Sequence, residues 1–298
     1  MNRVMVVGDA MLDRYYFGSV TRISPEAPIP IVKVNRVEDR LGGAANVANN
    51  LAHLTAVTSL MSITGVDEPG LALANKLREY DIAPFISKDP YGTTTLKLRT
   101  VVGGHQVSRT DFDSKPSTTT KLALLDQFER LYQTYDVVVF SDYNKGTLGY
   151  TERMIALCNE ANIKTIVDPK GNDWSKYKGC FMITPNEKEL QDVIGTWDSE
   201  AELTRNVTKL MADLGIAQVL LTRSERGMTL FNQFQTHYKT EAKSVVDVTG
   251  AGDTVVATLA WALANNYSLN KSIELANKAA GIVVSKLGTS VVSHDELL

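Results

Sequence analysis

The chain has 298 residues, of which 44% are hydrophobic and 22% are charged, which is the balance of a globular protein with a large buried core. Its formal net charge of −3 provides no overall positive field for nucleic acid or an anionic membrane, and no segment is long enough to cross a bilayer. Cys158 and Cys180 fit no metal-ligand spacing, and the N-terminus shows neither a charged leader nor a cleavage site, so we expect a cytoplasmic protein with reduced cysteines.

The first apolar run, at residues 4–7, is rich in valine and is followed by Gly8-Asp9, which is typical of a buried parallel strand that ends at a functional loop. Two later stretches have a different pattern. Residues 29–37 follow a proline-rich segment, and residues 93–111 include a run that alternates between apolar and polar positions. Both predict antiparallel strands of a small β lid, contributed from about residues 14–40 and 92–112.

Beyond the lid, short apolar runs alternate with helical patterns. Further strands are predicted at residues 137–140, 165–167, 182–183 and 218–221. Helices with apolar residues at spacings of three and four are predicted at 121–132, 151–161, 186–194 and Glu200–Leu214. This alternation predicts an α/β fold with a doubly wound, mostly parallel sheet, whose ligands bind beyond the carboxyl ends of the strands.

The most informative segment is Asp-Val-Thr-Gly-Ala-Gly-Asp at residues 247–253, which precedes an apolar helical run at 255–264. A glycine-rich turn that opens a helix presents backbone N–H groups and the positive end of the helix dipole, and both suit phosphate oxygens. Asp253 would repel phosphate, so we expect it to take a proton from an attacking hydroxyl; the alternative is an acidic helix cap. Walker A, dinucleotide-binding and protein-kinase signatures are absent from the sequence.

A second segment, Gly-Gly-Ala-Ala-Asn-Val-Ala at residues 42–48, would by itself be an ordinary tight helix start. Together, the two segments resemble the two signatures of the ribokinase-like (PfkB carbohydrate kinase) family in order and separation. The resemblance implies one ribokinase-like kinase domain over residues 1–298, with ATP and Mg²⁺ as cofactors and a monovalent cation such as K⁺ as a further one. It also implies that Asp253 is the catalytic base. The implied anion hole is Gly250, Ala251 and Gly252, and the implied sugar-side residues are Gly42, Gly43 and Asn46.

Other segments extend the resemblance to the nucleotide. Residues 186–189 match the NxxE element of the family, which implies a Mg²⁺ site at Glu189, through ordered waters, with Asn186 beside it. The alternative is an acid-rich helix start after Pro185. The segment at 222–227 resembles the nucleotide-binding turn, and Asn277 falls where the family places an adenine or ribose contact. The implied contacts in the turn are Thr222, Ser224, Glu225 and Gly227.

The acceptor side carries an aspartate and several cations. Asp13 follows the first strand, where the family sets an aspartate against sugar hydroxyls; the alternative is a solvated loop acid. The cations that we expect around the acceptor are Arg14, Lys97, Arg99 and Arg109, with Arg22 nearby. Each of them alone could face solvent, but as a set they suggest an acceptor that already carries phosphate.

The segments at 14, 22–30, 97–99, 141–146, 168–171 and 286–290 resemble one subgroup, the heptose 7-phosphate kinases of bacterial ADP-heptose synthesis. This implies phosphorylation of D-glycero-β-D-manno-heptose 7-phosphate at the 1-hydroxyl for lipopolysaccharide core synthesis, and a homodimer through the lid strands. None of the four histidines forms the HxGH motif of the bifunctional members, so we expect the kinase part alone. The alternatives are a kinase for fructose 1-phosphate or tagatose 6-phosphate, and a non-catalytic sugar- or nucleotide-binding regulator.

Overall fold

The computed structural model of the protein describes residues 2–242, 244–286 and 290–298. The strands are, in chain order, β1 (Arg3–Gly8), β2 (Ala10–Ile23), β3 (Pro30–Gly43), β4 (Val57–Gly65), β5 (Ala83–Asp89), β6 (Leu96–Val102), β7 (His105–Phe112), β8 (Val137–Ser141), β9 (Lys164–Asp168), β10 (Met182–Ile183), β11 (Gln218–Thr222), β12 (Met228–Phe231) and β13 (Gln235–Tyr238). The helices are α1 (Ala44–His53), α2 (Glu68–Glu79), α3 (Thr118–Leu131), α4 (Thr151–Glu160), α5 (Glu187–Ile194), α6 (Glu200–Leu214), α7 (Ala251–Ala264), α8 (Leu269–Val283) and α9 (His294–Leu297). None of the helices in the described ranges has the length and hydropathy to cross a membrane.

The large sheet has the order β13-β12-β11-β10-β9-β8-β1-β4-β5. Strands β11 through β5 in this order pair in parallel, and β12 and β13 are antiparallel. The predicted doubly wound, mostly parallel sheet is therefore confirmed. The five predicted strands lie at its centre, where both faces are buried and valine-rich runs are required.

Helices cover both faces of this sheet, as the side-chain alternation of β1 shows. Val4 and Val6 pack into the core layer with α1, α2, α7 and α8. Met5 and Val7 face the opposite layer, which is formed with α3 through α6. Cys158 and Cys180 are free and buried in this second layer, and burial raises the pKa of both thiols to about 12.

The predicted lid is a four-stranded sheet with the order β3-β2-β6-β7. The β2–β3 and β6–β7 pairs are antiparallel, as expected, but the central β2–β6 pair is parallel. The reason is topological. Strand β2 continues from β1 and β6 follows β5, and β1 and β5 run in the same direction in the large sheet. Both strands therefore leave the carboxyl edge of that sheet side by side and in the same sense.

Candidate active site

A cavity of about 560 Å³ lies between the carboxyl edge of the large sheet and the lid. This volume is within the range of small-molecule sites. Most of the residues predicted from sequence line it, although they are spread over the whole chain. They are Asp13, Gly42, Gly43, Asn46, Lys97, Arg99, Asn186, Glu189, Thr222, Ser224, Glu225, Gly227, Gly250, Ala251, Gly252, Asp253 and Asn277.

Asp253 lies in the first turn of α7, at the wall of this cavity, and is 8% exposed. Tyr143 donates its hydroxyl to Oδ1 of Asp253 over 2.6 Å, and Asn46 donates its side-chain amide to Oδ2 over 2.6 Å. Burial raises the pKa of the Asp253 carboxyl, whereas the two hydrogen bonds act in the opposite direction because they stabilise the charged form. The side chain is not the cap of α7, because Gly250 holds that position.

The glycine turn before α7 has the geometry that an anion site needs. Gly250 has a φ of 80°, in the left-handed region that favours glycine. No side chain caps the helix, so its first N–H groups have no partner within the helix. A Cβ at Gly252 would meet no atom within 4 Å, because this residue borders the open cavity. Backbone N–H groups, the positive helix end and open space therefore coincide here.

Gly42 and Gly43 are required by their protein neighbours. A Cβ at Gly42 would lie 2.5 Å from Oδ2 of Asp13, and one at Gly43 would lie 2.4 Å from the carbonyl oxygen of Asp9. Gly43 also has a φ of 58° at the start of α1. We expected these glycines to admit a ligand. Both glycines border the cavity, and the structure adds that they leave room for protein atoms, namely the side chain of Asp13 and the backbone carbonyl of Asp9.

At the end of the cavity that is opposite the lid residues, Asn186 and Glu189 form a capping box at the start of α5. Lys170 Nζ donates to Oε1 of Glu189 over 2.9 Å, and both side chains border the cavity. Glu189 therefore fits both interpretations: it belongs to the acid-rich start of α5, and its carboxylate also lines the cavity. Within the described ranges, no group of three or more His, Cys, Asp or Glu side chains could hold a metal ion.

The turn at 222–227 is tightly built. Gly227 has a φ of 86°, and a Cβ there would meet the carbonyl oxygen of Tyr238 at 2.1 Å. Arg223, which is 5% exposed, donates hydrogen bonds to Glu187 and Glu200 and so holds the turn against α5 and α6. Asn277 reaches the cavity from α8 and donates its amide to the carbonyl of Lys239 over 2.6 Å.

At the lid end, Asp13 lies within β2, is 8% exposed and borders the cavity, which does not fit the alternative of a solvated loop acid. Arg99 donates from Nη2 to Oδ1 of Asp13 over 3.1 Å, and its Nε is buried without a hydrogen-bond partner among the described residues. Burial lowers the pKa of the Lys97 ammonium, and the negative charge of Asp13 opposes this.

The structure does not bring Arg14 or Arg109 to the cavity, contrary to expectation. Neighbouring side chains in a strand point to opposite faces, so Arg14 points away when Asp13 points inward. The guanidinium of Arg14 is held by Asp39 and Glu68. Arg109 pairs with Asp111 on the exposed strand β7.

The family model of the pfkB family carbohydrate kinases matches residues 1–296. The chain belongs to this family. Its curated relatives include three called bifunctional protein HldE, from Pasteurella multocida (48% identity), Haemophilus influenzae (46%) and Proteus mirabilis (44%). Each match covers 99% of this chain but 62% of the relative, so the chain spans less than two thirds of their length.

Solved structures of low sequence identity share the fold of this pfkB-family chain. Arabidopsis thaliana ribokinase, complexed with ribose and ATP, has a TM-score of 0.79 at 21% identity and covers 100% of this chain and 98% of its own. Phosphofructokinase-2 from Escherichia coli, in complex with potassium, has a TM-score of 0.83 at 19% identity and covers 100% and 97%. The ribokinase-like fold predicted from sequence is confirmed.

Several cavity residues of this pfkB-family chain were not predicted individually: Asp142, Tyr143, Asp168 and Lys170. The available signal was their position, because the segments at 141–146 and 168–171 directly follow β8 and β9. Asp168 is a carboxylate whose charge the site disfavours. Burial raises the pKa of Asp168 well above its usual value, and the negative charges of Asp253 and Glu189 raise it further. Of the segment at 286–290, residues 287–289 lie outside the described residues.

Proposed function

We propose that this chain transfers the γ-phosphoryl group of ATP to the 1-hydroxyl of D-glycero-β-D-manno-heptose 7-phosphate, for ADP-heptose and lipopolysaccharide core synthesis. The observation that carries the kinase proposal is the carboxylate of Asp253, which borders the same open cavity as the N–H groups of the glycine turn. The subgroup resemblance supports the acceptor. The name of the HldE relatives agrees with that subgroup, in which the kinase also occurs as the N-terminal part of a bifunctional enzyme.

In the proposed reaction, Asp253 takes the proton of the 1-hydroxyl as that oxygen attacks the γ-phosphorus of ATP. ADP leaves with the electron pair of the broken P–O bond. The N–H groups of residues 250–252 stabilise the negative charge on the transferred phosphoryl oxygens. Catalysis of this kind consists mainly of positioning and electrostatics. This fits a site in which backbone N–H groups lie beside Asp253 and the side chains of Asn46 and Tyr143 hold its carboxylate.

We assign the nucleotide to the end of the cavity formed by the 222–227 turn, Asn186 and Asn277. Glu189 offers carboxylate oxygens there, and Mg²⁺ prefers oxygen ligands and retained waters. When bound, Mg²⁺ would neutralise charge on the phosphates. The excess of negative charge around Asp168 and Glu189 fits a cation at this end. We also propose that K⁺ increases turnover, which a comparison of KCl with NaCl in the assay would test.

We assign the acceptor to the lid end, with Asp13 and Asn46 towards its hydroxyls and Gly42 and Gly43 beside them. Lys97 and Arg99 would bind its 7-phosphate. Arg99 retains a buried Nε donor without a partner among the described residues, and the half-buried ammonium of Lys97 would gain a counter-charge from the phosphate. Arg14 and Arg109 have no part in this proposal because their carboxylate partners hold them outside the cavity.

The deciding experiment is mass spectrometry of the product formed from ATP, Mg²⁺ and heptose 7-phosphate. We expect one added phosphoryl group with the 7-phosphate retained. Fructose 1-phosphate and tagatose 6-phosphate are the comparison acceptors, measured by ADP release. Faster turnover of either would replace the heptose assignment and keep the kinase. Binding of ATP and sugar phosphate without transfer to any acceptor would favour the regulator.

We further propose a homodimer through the lid. The lid sheet has two free edges, β3 and β7, within the described chain. Its strands and the β2–β3 turn expose apolar side chains to solvent, namely Val20, Ile23, Ile29, Val34, Val37 and Val107. Exposed strand edges are normally covered or paired, and a second copy would cover them. Analytical ultracentrifugation should give twice the mass of the chain, and a concentration-independent monomer would contradict this proposal.

A further inference from the structure

The loop at residues 142–147, between β8 and α4, is fixed by two carboxylates rather than by its own turns. Oδ2 of Asp9 accepts the backbone N–H groups of Tyr143 and Lys145, each over 2.9 Å, and Oδ1 accepts that of Thr147 over 2.9 Å. Asp142 accepts the N–H of Asn144 over 2.7 Å. Asp9 is 2% exposed, and the three backbone N–H groups of the loop offset the cost of burying its carboxylate.

The fixed loop presents Tyr143 to Asp253. The phenol hydroxyl donates to Oδ1 of Asp253, and the ring passes close to Gly43. Burial raises the pKa of the Tyr143 phenol well above 10, and the charge of Asp253 raises it further, so the hydroxyl remains a donor. Asn46 occupies the other oxygen from the opposite side. Two donors on different oxygens fix the rotation of the carboxylate, which still has lone pairs for a substrate hydroxyl.

We propose that Tyr143, held by Asp9, is a positioning residue that fixes the orientation of the Asp253 carboxylate and preserves its negative charge for proton abstraction. The inference rests on the proposed function of Asp253 as the base. It adds a second layer to the site, in which the aspartate after the first strand acts on the base through a loop and a phenol. Nothing in the signature motifs assigns this role to either residue.

The charged and titratable groups around Asp253 come from several elements. Asp13 on β2 disfavours the charge of Asp253 and Lys97 on β6 favours it, while the charge of Asp253 helps to raise the pKa of Asp168 at the end of β9. Against this background, the phenol of Tyr143 stabilises the ionised carboxylate. Its loss should favour the protonated form, which cannot accept a proton. The acidic limb of the kcat profile should therefore move to higher pH.

The test compares Tyr143→Phe with Tyr135→Phe. Tyr135 is a buried tyrosine that likewise has one side-chain hydrogen bond, to Oγ of Ser59 over 2.8 Å, but it does not border the cavity. We expect the acidic limb of Tyr143→Phe to move up by about one to two pH units, which is the shift that the loss of a hydrogen bond to a charged group causes, with the KM for ATP unchanged. The limb of Tyr135→Phe should remain at the wild-type position. The titration of the sugar phosphate itself affects all variants equally.

A second measurement needs no turnover. The ¹³C chemical shift of the Asp253 carboxyl, assigned by its loss in Asp253→Asn, is titrated without substrates in the wild type and in Tyr143→Phe. A higher midpoint in Tyr143→Phe supports the inference even if another acceptor proves correct. Coincident midpoints and coincident acidic limbs overturn it. A wild type without phosphoryl transfer refutes the proposed function instead, and the carboxyl titration still decides whether Tyr143 acts on Asp253.

Asp9→Asn tests whether the 142–147 loop is needed to hold the Tyr143 phenol against Asp253. An amide has one acceptor oxygen in place of two, so it cannot hold all three N–H groups. We expect a folded variant by circular dichroism, with the Asp253 midpoint shifted in the same direction as in Tyr143→Phe. A folded Asp9→Asn protein with the wild-type midpoint would remove Asp9 from the proposal.

Discussion

Asn46 donates its side-chain amide to Oδ2 of Asp253 although the two residues are 207 positions apart in the chain. The backbone carbonyl oxygen of Asn46 accepts a hydrogen bond from the side-chain amide of Asn50. Oδ1 of Asn50 in turn accepts a hydrogen bond from the hydroxyl of Thr254. The N-terminal turns of α1 and α7 are thereby joined at the carboxyl edge of the sheet. The two signature segments therefore form one structural unit around the carboxylate of Asp253.

Asn46→Ala should reduce kcat by about one to two orders of magnitude, because a hydrogen bond to a charged group contributes about 1.5–3 kcal/mol. Steady-state kinetics of ADP release would measure this. Asn49→Ala is the matched control on the same helix, since Oδ1 of Asn49 is buried without a hydrogen-bond partner among the described residues. Equal losses in both variants would show that α1 is merely destabilised.

Asp253→Asn should lower kcat by about two to four orders of magnitude, the usual contribution of a general base. The melting temperature should not fall, because burial raises the pKa of this carboxyl and so disfavours its charge in the folded state. Turnover and circular dichroism melting are measured on the same preparation. A folded variant with near-native turnover would refute the assignment of the base.

Gly252→Ala and Gly250→Ala should separate catalysis from stability. A Cβ at Gly252 meets nothing within 4 Å, and alanine favours a helix by about 1 kcal/mol, so the melting temperature should hold or rise while kcat/KM falls as the methyl group enters the phosphate space. At Gly250, the φ of 80° makes alanine cost about 1–2 kcal/mol. Full activity in Gly252→Ala would place the phosphate elsewhere.

Arg223→Met should destabilise the protein by about 1–3 kcal/mol and raise the KM for ATP, because the buried guanidinium holds the 222–227 turn against Glu187 and Glu200. This is less than the loss expected for a fully buried ion pair, because the partner Glu200 is largely exposed. Arg226→Met is the control. It also pairs with Glu187, but it is 55% exposed, so its loss should cost less than about 1 kcal/mol in urea unfolding.

Asp168→Asn should stabilise the free protein at pH 8 and less so at pH 4.5. The folded state raises the pKa of Asp168, mainly through burial, so it binds the proton more tightly than the unfolded chain does. The stability that this group provides is complete below its unfolded pKa and is lost as the pH rises towards its folded pKa. Melting curves of both proteins at the two pH values would measure the difference. An equal effect at both pH values would contradict it.

The central strands of the large sheet could be predicted from local sequence, because burial on both faces requires continuous apolar runs. Strands β1, β8, β9 and β11 are buried on both faces, so their apolar runs are conspicuous. Strands β4, β5, β12 and β13 were not predicted. Strands β5 and β13 are the edges of the sheet, whereas β4 and β12 are buried but have threonine or serine between their apolar residues, which weakens the apolar pattern. The parallel pairing of β2 with β6 has no local signal, because it follows from the directions of β1 and β5.

The sequence by itself determined the α/β fold, the lid, the glycine turn and the position of Asp253 directly after that turn, because strand periodicity, helix periodicity and turns depend on neighbouring residues. Only the tertiary structure decided which side chains meet at that carboxylate. Tyr143 and Asn46 reach it from distant parts of the chain, and Arg14 leaves the site because the next residue inward in β2 is Asp13. Hydrogen-bond partners and side-chain direction depend on how the elements pack, and packing is a property of the whole chain.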